Sequence, residues 1–287
     1  MIEKKTYSYM FLLPAGIIYF IFFFLPVLMS FFFSMTHWTL VDWKFIGIQN
    51  YIDFFSDVSL STSFKNTFVY AVVTSGSKVV LGFLLASFLS SPQVKTRDFL
   101  RSMVFFPTLI STVAVGITFS TMMHPTHGLI NKALEVVGIQ GPDWLGNGKL
   151  ALFSVALVDL WKGVGMATVI YIAGIVSIPR QYYEALTIDG GNSWDALWHI
   201  TLPLCRPAMN SVIILSFIGG LRTFDLVWTM TKGGPGFATD LLASVIYKQY
   251  AAGFYGLATA GNVILFLVVS LLAVPLYRFL MKSEVDL

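Results

Sequence analysis

Six stretches of the chain stay apolar for about 20 residues or more, the length that crosses a hydrocarbon core of about 30 Å as a helix. They lie at roughly 9–34, 64–90, 102–123, 151–177, 207–230 and 257–281. None shows the short apolar/polar alternation of a membrane strand. A segment in lipid must satisfy its own backbone hydrogen bonds, so the pattern predicts helices. The expected fold is an all-α membrane protein of about six transmembrane helices forming one domain over residues 1–287. Gly165, Gly174 and Gly219 inside these runs are expected to permit close helix packing. Lys4 and Lys5 precede a first run broken only by Pro14 and Pro26. That run exceeds the 7–15 residue core of a secretory signal, so a retained first helix is expected.

Composition sharpens the reading. Charged residues make up 11% of the chain and hydrophobic residues 56%, with a mean hydropathy of +0.76. Ordinary globular domains are about 25% charged, so these few charges cannot cover a water-facing surface of this size. The net charge of +3 is small and no basic tract occurs, which argues against a nucleic-acid partner. The single cysteine, Cys205, excludes an internal disulfide and a four-thiolate metal site. It reads as an ordinary neighbour of a helix end.

Orientation follows from the short loops. One side carries nine cations: Lys4, Lys5, Lys95, Arg97, Arg101, Arg180, Arg206, Arg278 and Lys282. The other carries five: Lys44, Lys132, Lys149, Lys232 and Lys248. Both termini are therefore predicted to be cytoplasmic. The outer loops, at about 35–63, 124–150 and 231–256, are expected to cap the membrane surface. Trp38, Trp43 and Trp144 suit an interfacial belt.

The connection 178–207 is too long and too patterned for a plain loop. Pro179 suits a first helical position. Tyr182, Tyr183, Ala185 and Leu186 form an amphipathic turn or two, and Gly190–Gly191 end it. Asn192 or Ser193 can cap a second short helix whose apolar face holds Trp194, Leu197, Trp198 and Ile200. Pro203 and Pro207 stop that helix before the fifth span. The prediction is a cytoplasmic helix–turn–helix with exposed Leu, Trp and Tyr, which implies a partner groove. A helix merely resting on lipid headgroups carries many cations, whereas this one carries Glu184, Asp189 and Asp195.

Glu184 and Ala185, then Gly190, then Ile200, Leu202 and Pro203 stand at the spacings of the EAA motif. The chain thereby resembles the inner-membrane permeases of binding-protein-dependent ABC importers. Asp189 supplies the frequent D-G pair, and Leu186 and Gly191 replace the motif's usual alanines. Phe45–Tyr51 and Phe224–Gly236 resemble segments of the sugar-transport branch, so the likeness runs over nearly the whole chain.

The resemblance implies that the motif forms coupling helices seated in a cleft of a separate ATPase. Glu184 would meet a cationic group there, Ala185 would allow close approach, and Gly190 would permit the turn. Ile200, Leu202 and Pro203 would set the second helix on the bundle, with Leu186 and Asp189 completing the coupling segment. It also implies a second permease of different sequence, two ATPase subunits that hold ATP and Mg, and an extracytoplasmic sugar-binding protein. The expected function is ATP-driven import of a sugar by alternating access across a bacterial-type inner membrane. The chain itself would hold no cofactor or metal and have no catalytic residues.

Charges inside spans are costly and are functional candidates by default. Lys78, Asp159, Lys162, Arg222 and Asp225 fall there. Asp159–Lys162 and Arg222–Asp225 are each three apart, on one helical face. They either line a polar vestibule or pair with each other and hold helices together. Tyr171 and Asn262 are further candidates for contact with a sugar.

No phosphate-cradling G-x-x-x-x-G-K-[S/T] loop occurs, since Asn147 follows Gly146 where that motif needs Lys. No G-x-S-x-G nucleophile occurs either. His124 and His127 are a weak metal pair without a helically spaced carboxylate. Two other readings stay open: an ion-coupled secondary sugar carrier, and a non-transport scaffold or sensor.

Overall fold

The computed structural model describes residues 9–56, 58–91 and 94–282. Lys4 and Lys5 of the orientation argument lie outside the described residues. Four helices are long and apolar enough to cross a membrane: α1 (Met10–Phe33), α3 (within Val58–Ser90), α7 (Ala151–Val176) and α13 (Tyr255–Met281). Two bent pairs, Arg97–Leu109 with Thr112–Met122 and Ser193–Leu204 with Arg206–Leu221, raise the number to six if each pair makes one span.

Between these spans lie shorter elements. A hairpin of β1 (Thr36–Trp38) and β2 (Trp43–Phe45) precedes α2 (Gln49–Ser56). Next come α4 (Arg97–Leu109), α5 (Thr112–Met122) and α6 (Leu129–Val136). After α7 follow α8 (Arg180–Ile188), α9 (Ser193–Leu204), α10 (Arg206–Leu221), α11 (Asp225–Met230) and α12 (Leu242–Ala251).

Two of the expected spans are not single helices. The third, 102–123, is α4 and α5 meeting at 95°. Pro107, one turn before the break, has no N–H to continue the ladder, and Ile110 turns extended. The fifth, 207–230, is interrupted at Arg222–Phe224, between α10 and α11. Proline also shapes the helices that continue. A wide π turn occupies Phe20–Phe24 just before Pro26, and another occupies Leu197–Thr201 just before Pro203. A widened turn relieves the clash of the ring with the carbonyl four residues back.

The chain forms two compact units. In the first, residues 1–58 and 246–266, Asn50 of α2 donates to the carbonyls of Ser34 and Thr36 at 2.8 and 2.7 Å. Phe54 is buried at 2% exposure, where Gly261 leaves room for its ring. In the second unit, α7 supplies the centre, with Val155 and Val158 fully buried among Val115, Leu226, Val227 and Leu241.

Close approach in the second unit rests on small residues, as expected where lipid gives no hydrophobic drive between helices. Gly165 and Gly174 of α7 abut the α4 backbone and Ala208. Gly219 does not act this way, because nothing lies within 4 Å of its missing side chain. Its neighbour Gly220 faces α3 instead, and a Cβ there would stand 2.7 Å from Ala71 Cα. Gly220→Ala is therefore expected to destabilise the purified protein by about 1–3 kcal/mol, the range for overpacking. Gly219→Ala should be neutral or stabilise it by about 0.5–1 kcal/mol through helix propensity. Paired thermal unfolding curves in detergent check both.

Candidate functional site

The 178–207 connection folds as two short helices around a tight turn. Pro179 stands just before α8 as its cap, one position earlier than expected. α8 ends in a Schellman closure. Gly190 N–H donates to Thr187 O at 3.2 Å and Gly191 N–H to Leu186 O at 2.9 Å. Gly190 has φ +80°, a conformation that costs a residue with a side chain about 1–2 kcal/mol.

Asn192, not Ser193, then caps α9. Its Oδ1 accepts from Trp194 N at 2.7 Å and Asp195 N at 3.2 Å, while Asp195 Oδ2 accepts from Asn192 N at 2.9 Å. This reciprocal capping box fixes the direction in which α9 leaves the turn. The Tyr183 and Thr201 hydroxyls, 3.1 Å apart, tie the two helices together.

The motif residues divide by exposure. Glu184, Ala185, Asp189 and Gly190 are exposed, and Leu186 is half-buried against Gly191. Ile200 is buried, and Leu202 and Pro203 are half-buried. Ile188, Trp194 and Trp198 project outward, with 87%, 68% and 58% of their surface exposed. The unit thus presents an acidic and aromatic outer face on a base packed into the protein. Cys205, at its far end, is buried with Ala86, Ala167, Tyr171 and Val212.

Inside the spans, the charges do not pair as their spacing predicts. Asp159 pairs with Lys78 of α3, Nζ to Oδ2 2.7 Å, and not with Lys162. The Lys78 stem lies over Gly163, where a Cβ would be 2.6 Å from Cε. Lys162 instead reaches toward Thr108 O at 3.5 Å, near the C-terminal end of α4, where the helix dipole favours a cation.

Arg222 and Asp225 form no ion pair with each other among the described residues. Their spacing of three implies a shared face only on a continuous helix, and the helix breaks between them. Arg222 caps the C-terminus of α10 and Asp225 opens α11, the ends whose dipoles suit each sign. Both side chains are exposed.

Three groups at this site escape a reading of the sequence. The Tyr70 hydroxyl is wholly buried beside Asp159 and Thr223, without a well-formed hydrogen bond. Thr223 lies in the break itself and donates to Gly219 O at 2.9 Å. Phe224 and Trp228 stack there with ring centres 5.8 Å apart. The available signal is a spare intramembrane cation, since three cations face two carboxylates.

Tyr171 is fully buried, with its ring edge against Phe83. Asn262 is exposed in the first unit. Trp144 is half-buried and donates its indole N–H to Asn131 at 2.6 Å. His124 Nδ1 accepts from the backbone N–H groups of Thr126 and His127, which makes it a turn cap. Among the described residues no three His, Cys, Asp or Glu side chains gather into a metal site.

Comparison with known proteins adds a second line. The family model described as "Binding-protein-dependent transport system inner membrane component" matches residues 78–283. The chain is 32% identical to the trehalose/maltose transport system permease protein MalF of Thermococcus litoralis, across 93% of this chain and 91% of the relative. It is 31% identical to the arabinooligosaccharides transport system permease protein AraP of Bacillus subtilis, across 96% and 89%. In fold it is similar to a chain of a solved bacterial ABC transporter involved in the import of the acidic polysaccharide alginate. That likeness has a TM-score of 0.85 at 22% identity and covers 96% of this chain and 94% of that one. A second structure, of the alginate transporter in complex with a pentasaccharide-bound periplasmic protein, matches with a TM-score of 0.81 at 22% identity. It covers 97% of this chain and 96% of that one.

Proposed function

The chain belongs to the inner membrane component family of binding-protein-dependent transport systems, and from that premise we propose that it is the permease subunit of an ATP-driven sugar importer. It is a multi-pass membrane protein and a transport subunit. ATP hydrolysis belongs to partner chains, which hold ATP and Mg, and a second permease completes the pathway. An extracytoplasmic binding protein delivers the sugar. Both termini face the cytoplasm.

The observation that carries the reading is the 178–207 unit, rigid at its base and exposed at its acidic and aromatic face. Glu184, Ala185, Asp189 and Gly190 meet the ATPase, with Leu186 packed beneath them. Ile200, Leu202 and Pro203 pass its motion to the bundle. ATP binding shifts the permease between inward- and outward-facing states through contacts that differ in energy between the two.

The sugar passes at the break between α10 and α11. Backbone that leaves the helix at membrane depth is tolerated only where protein or a water-filled cavity covers it. Broken helices of this kind carry substrate sites in other transporters. Arg222 and Asp225 are exposed at the break, and Thr223 connects it to Tyr70 and Asp159. Lys162 and Tyr171 are less suited because both are engaged in packing, and Asn262 is a further exposed polar candidate.

The test is uptake of radiolabelled maltose-type and arabinose-type oligosaccharides into vesicles holding the assembled transporter and internal ATP. Uptake should require ATP and persist when proton and sodium gradients are collapsed. Uptake that dies with the gradients while ATP is maintained would establish the ion-coupled carrier in its place.

A further inference from the structure

The helix α2 has three faces, roughly a third of a turn apart on a helix of 3.6 residues per turn. One face, Asn50 and Phe54, is buried in the first unit. A second, Gln49, Asp53 and Ser56, is exposed and polar, with Gln49 Nε2 donating to Asp53 Oδ1 at 2.7 Å. The third is Ile52 and Phe55, continued by Ile48 just before the helix, and all three are more than half exposed. A helix at a protein–water boundary needs two faces. A third face, apolar and open, fits a helix lying where protein, water and hydrocarbon meet.

The hairpin beside it has the same character. Trp43 and Phe45, on one side of β2, are exposed. Leu40 and Val41 form the tip, with 85% and 89% of their surface open. The tip is ordered by Thr39, whose N–H donates to Asp42 O at 2.9 Å and whose Oγ1 accepts from Asp42 N at 3.2 Å. Asn50 ties the hairpin to α2 through the Ser34 and Thr36 carbonyls, so the two move together.

The occupant of this face is indicated by what it adjoins. α1 ends at Phe33, has no buried residue between Leu13 and Phe33, and is long and apolar enough to cross a membrane. Phe32 on its open surface touches Trp43, ring centres 6.5 Å apart. Phe33 stacks on Trp38 at 4.6 Å. The apolar surface of the span therefore runs without interruption onto the hairpin. Ile48, Ile52, Phe55, Leu40 and Val41 offer no side-chain hydrogen-bonding group. A protein interface carries about one hydrogen bond per 100–200 Å², whereas acyl chains ask for none.

We propose that the 36–56 platform is a membrane-seated anchor. Ile48, Ile52, Phe55 and the Leu40–Val41 tip dip into the headgroup–acyl boundary at the Phe33 end of α1, and Gln49, Asp53 and Ser56 face water. The covalent tether to α1 supplies attachment, so no anionic lipid is needed. The inference depends on the membrane placement of α1 and not on the transported substrate.

The experiment places an environment-sensitive fluorophore on single cysteines at positions 41, 49, 52, 53 and 55. Buried Cys205 stays in place, and its residual labelling in the unsubstituted chain is subtracted. The complete transporter is reconstituted in phosphatidylcholine vesicles with nitroxide groups high on the acyl chains. Emission at 41, 52 and 55 should be quenched about twofold or more, and that at 49 and 53 little, as seating about 5–10 Å deep requires. Labels at 52 and 55 that escape lipid quenching but cross-link to the second permease would overturn the proposal and make the face a subunit contact. Quenching of those labels by aqueous iodide alone would overturn it equally.

Discussion

Glu184→Arg is expected to cut recovery of the ATPase subunit with this chain sharply while leaving the chain folded. The side chain is exposed and makes no intrachain ion pair among the described residues, so reversal of its charge removes no internal support. Against the cationic group proposed on the ATPase, reversal would replace attraction with repulsion. Losing a desolvated interface charge pair costs about 2–5 kcal/mol, and tenfold in affinity is about 1.4 kcal/mol, so co-purification should fall by roughly two orders of magnitude.

Gly190→Trp acts by a different route. Its φ of +80° admits a side chain only with strain, so the turn between α8 and α9 should reorganise and the two helices lose their relative direction. Pull-down in mild detergent, with unfolding curves on both variants, separates the two effects. Glu184→Arg should leave the melting temperature unchanged, whereas Gly190→Trp should lower it. Undiminished ATPase recovery with folded Glu184→Arg would remove the 178–207 face from the interface.

The turn is legible in the amino-acid sequence because every signal in it is local. Gly190 and Gly191 end one helix, Asn192 and Asp195 start the next, and all their hydrogen bonds close within five residues. The spans are legible for a similar reason, since length and hydropathy decide them segment by segment. Sequence reading fails where the decisive partner is remote or the ladder is interrupted. Helical spacing matches Asp159 to Lys162, but its partner Lys78 is 81 residues away on another helix. Arg222 and Asp225 share a face only if the helix continues, and no proline marks the break at Phe224. Gly219 and Gly220 are indistinguishable as letters. Only the neighbour of each, open space or Ala71, tells which one carries the packing.

The Lys78–Asp159 pair offers the second large effect, and it distinguishes packing from transport. Both side chains are largely buried, at 11% and 19% exposure. Asp159→Asn leaves the Lys78 ammonium without its counter-charge in the membrane interior. Breaking one partner of a buried pair costs about 3–5 kcal/mol, and that loss should appear as a clear drop in the melting temperature in detergent. Replacing both charges by apolar side chains of similar length is often neutral or stabilising. Lys78→Met combined with Asp159→Leu should therefore recover the stability that the single variant loses, a coupling read directly from the double-mutant cycle. Transport should not recover with it. Asp159 lies beside Tyr70, which also neighbours Thr223 in the break of the fifth span, so an apolar site there would strip the proposed passage of its carboxylate. ATP-driven uptake by the stable double variant should stay at least about tenfold below the unsubstituted transporter, as loss of one polar contact of about 1.4 kcal/mol or more requires. Full uptake in that variant would reduce the pair to a clamp between α3 and α7 and leave the pathway to Arg222 and Asp225 alone.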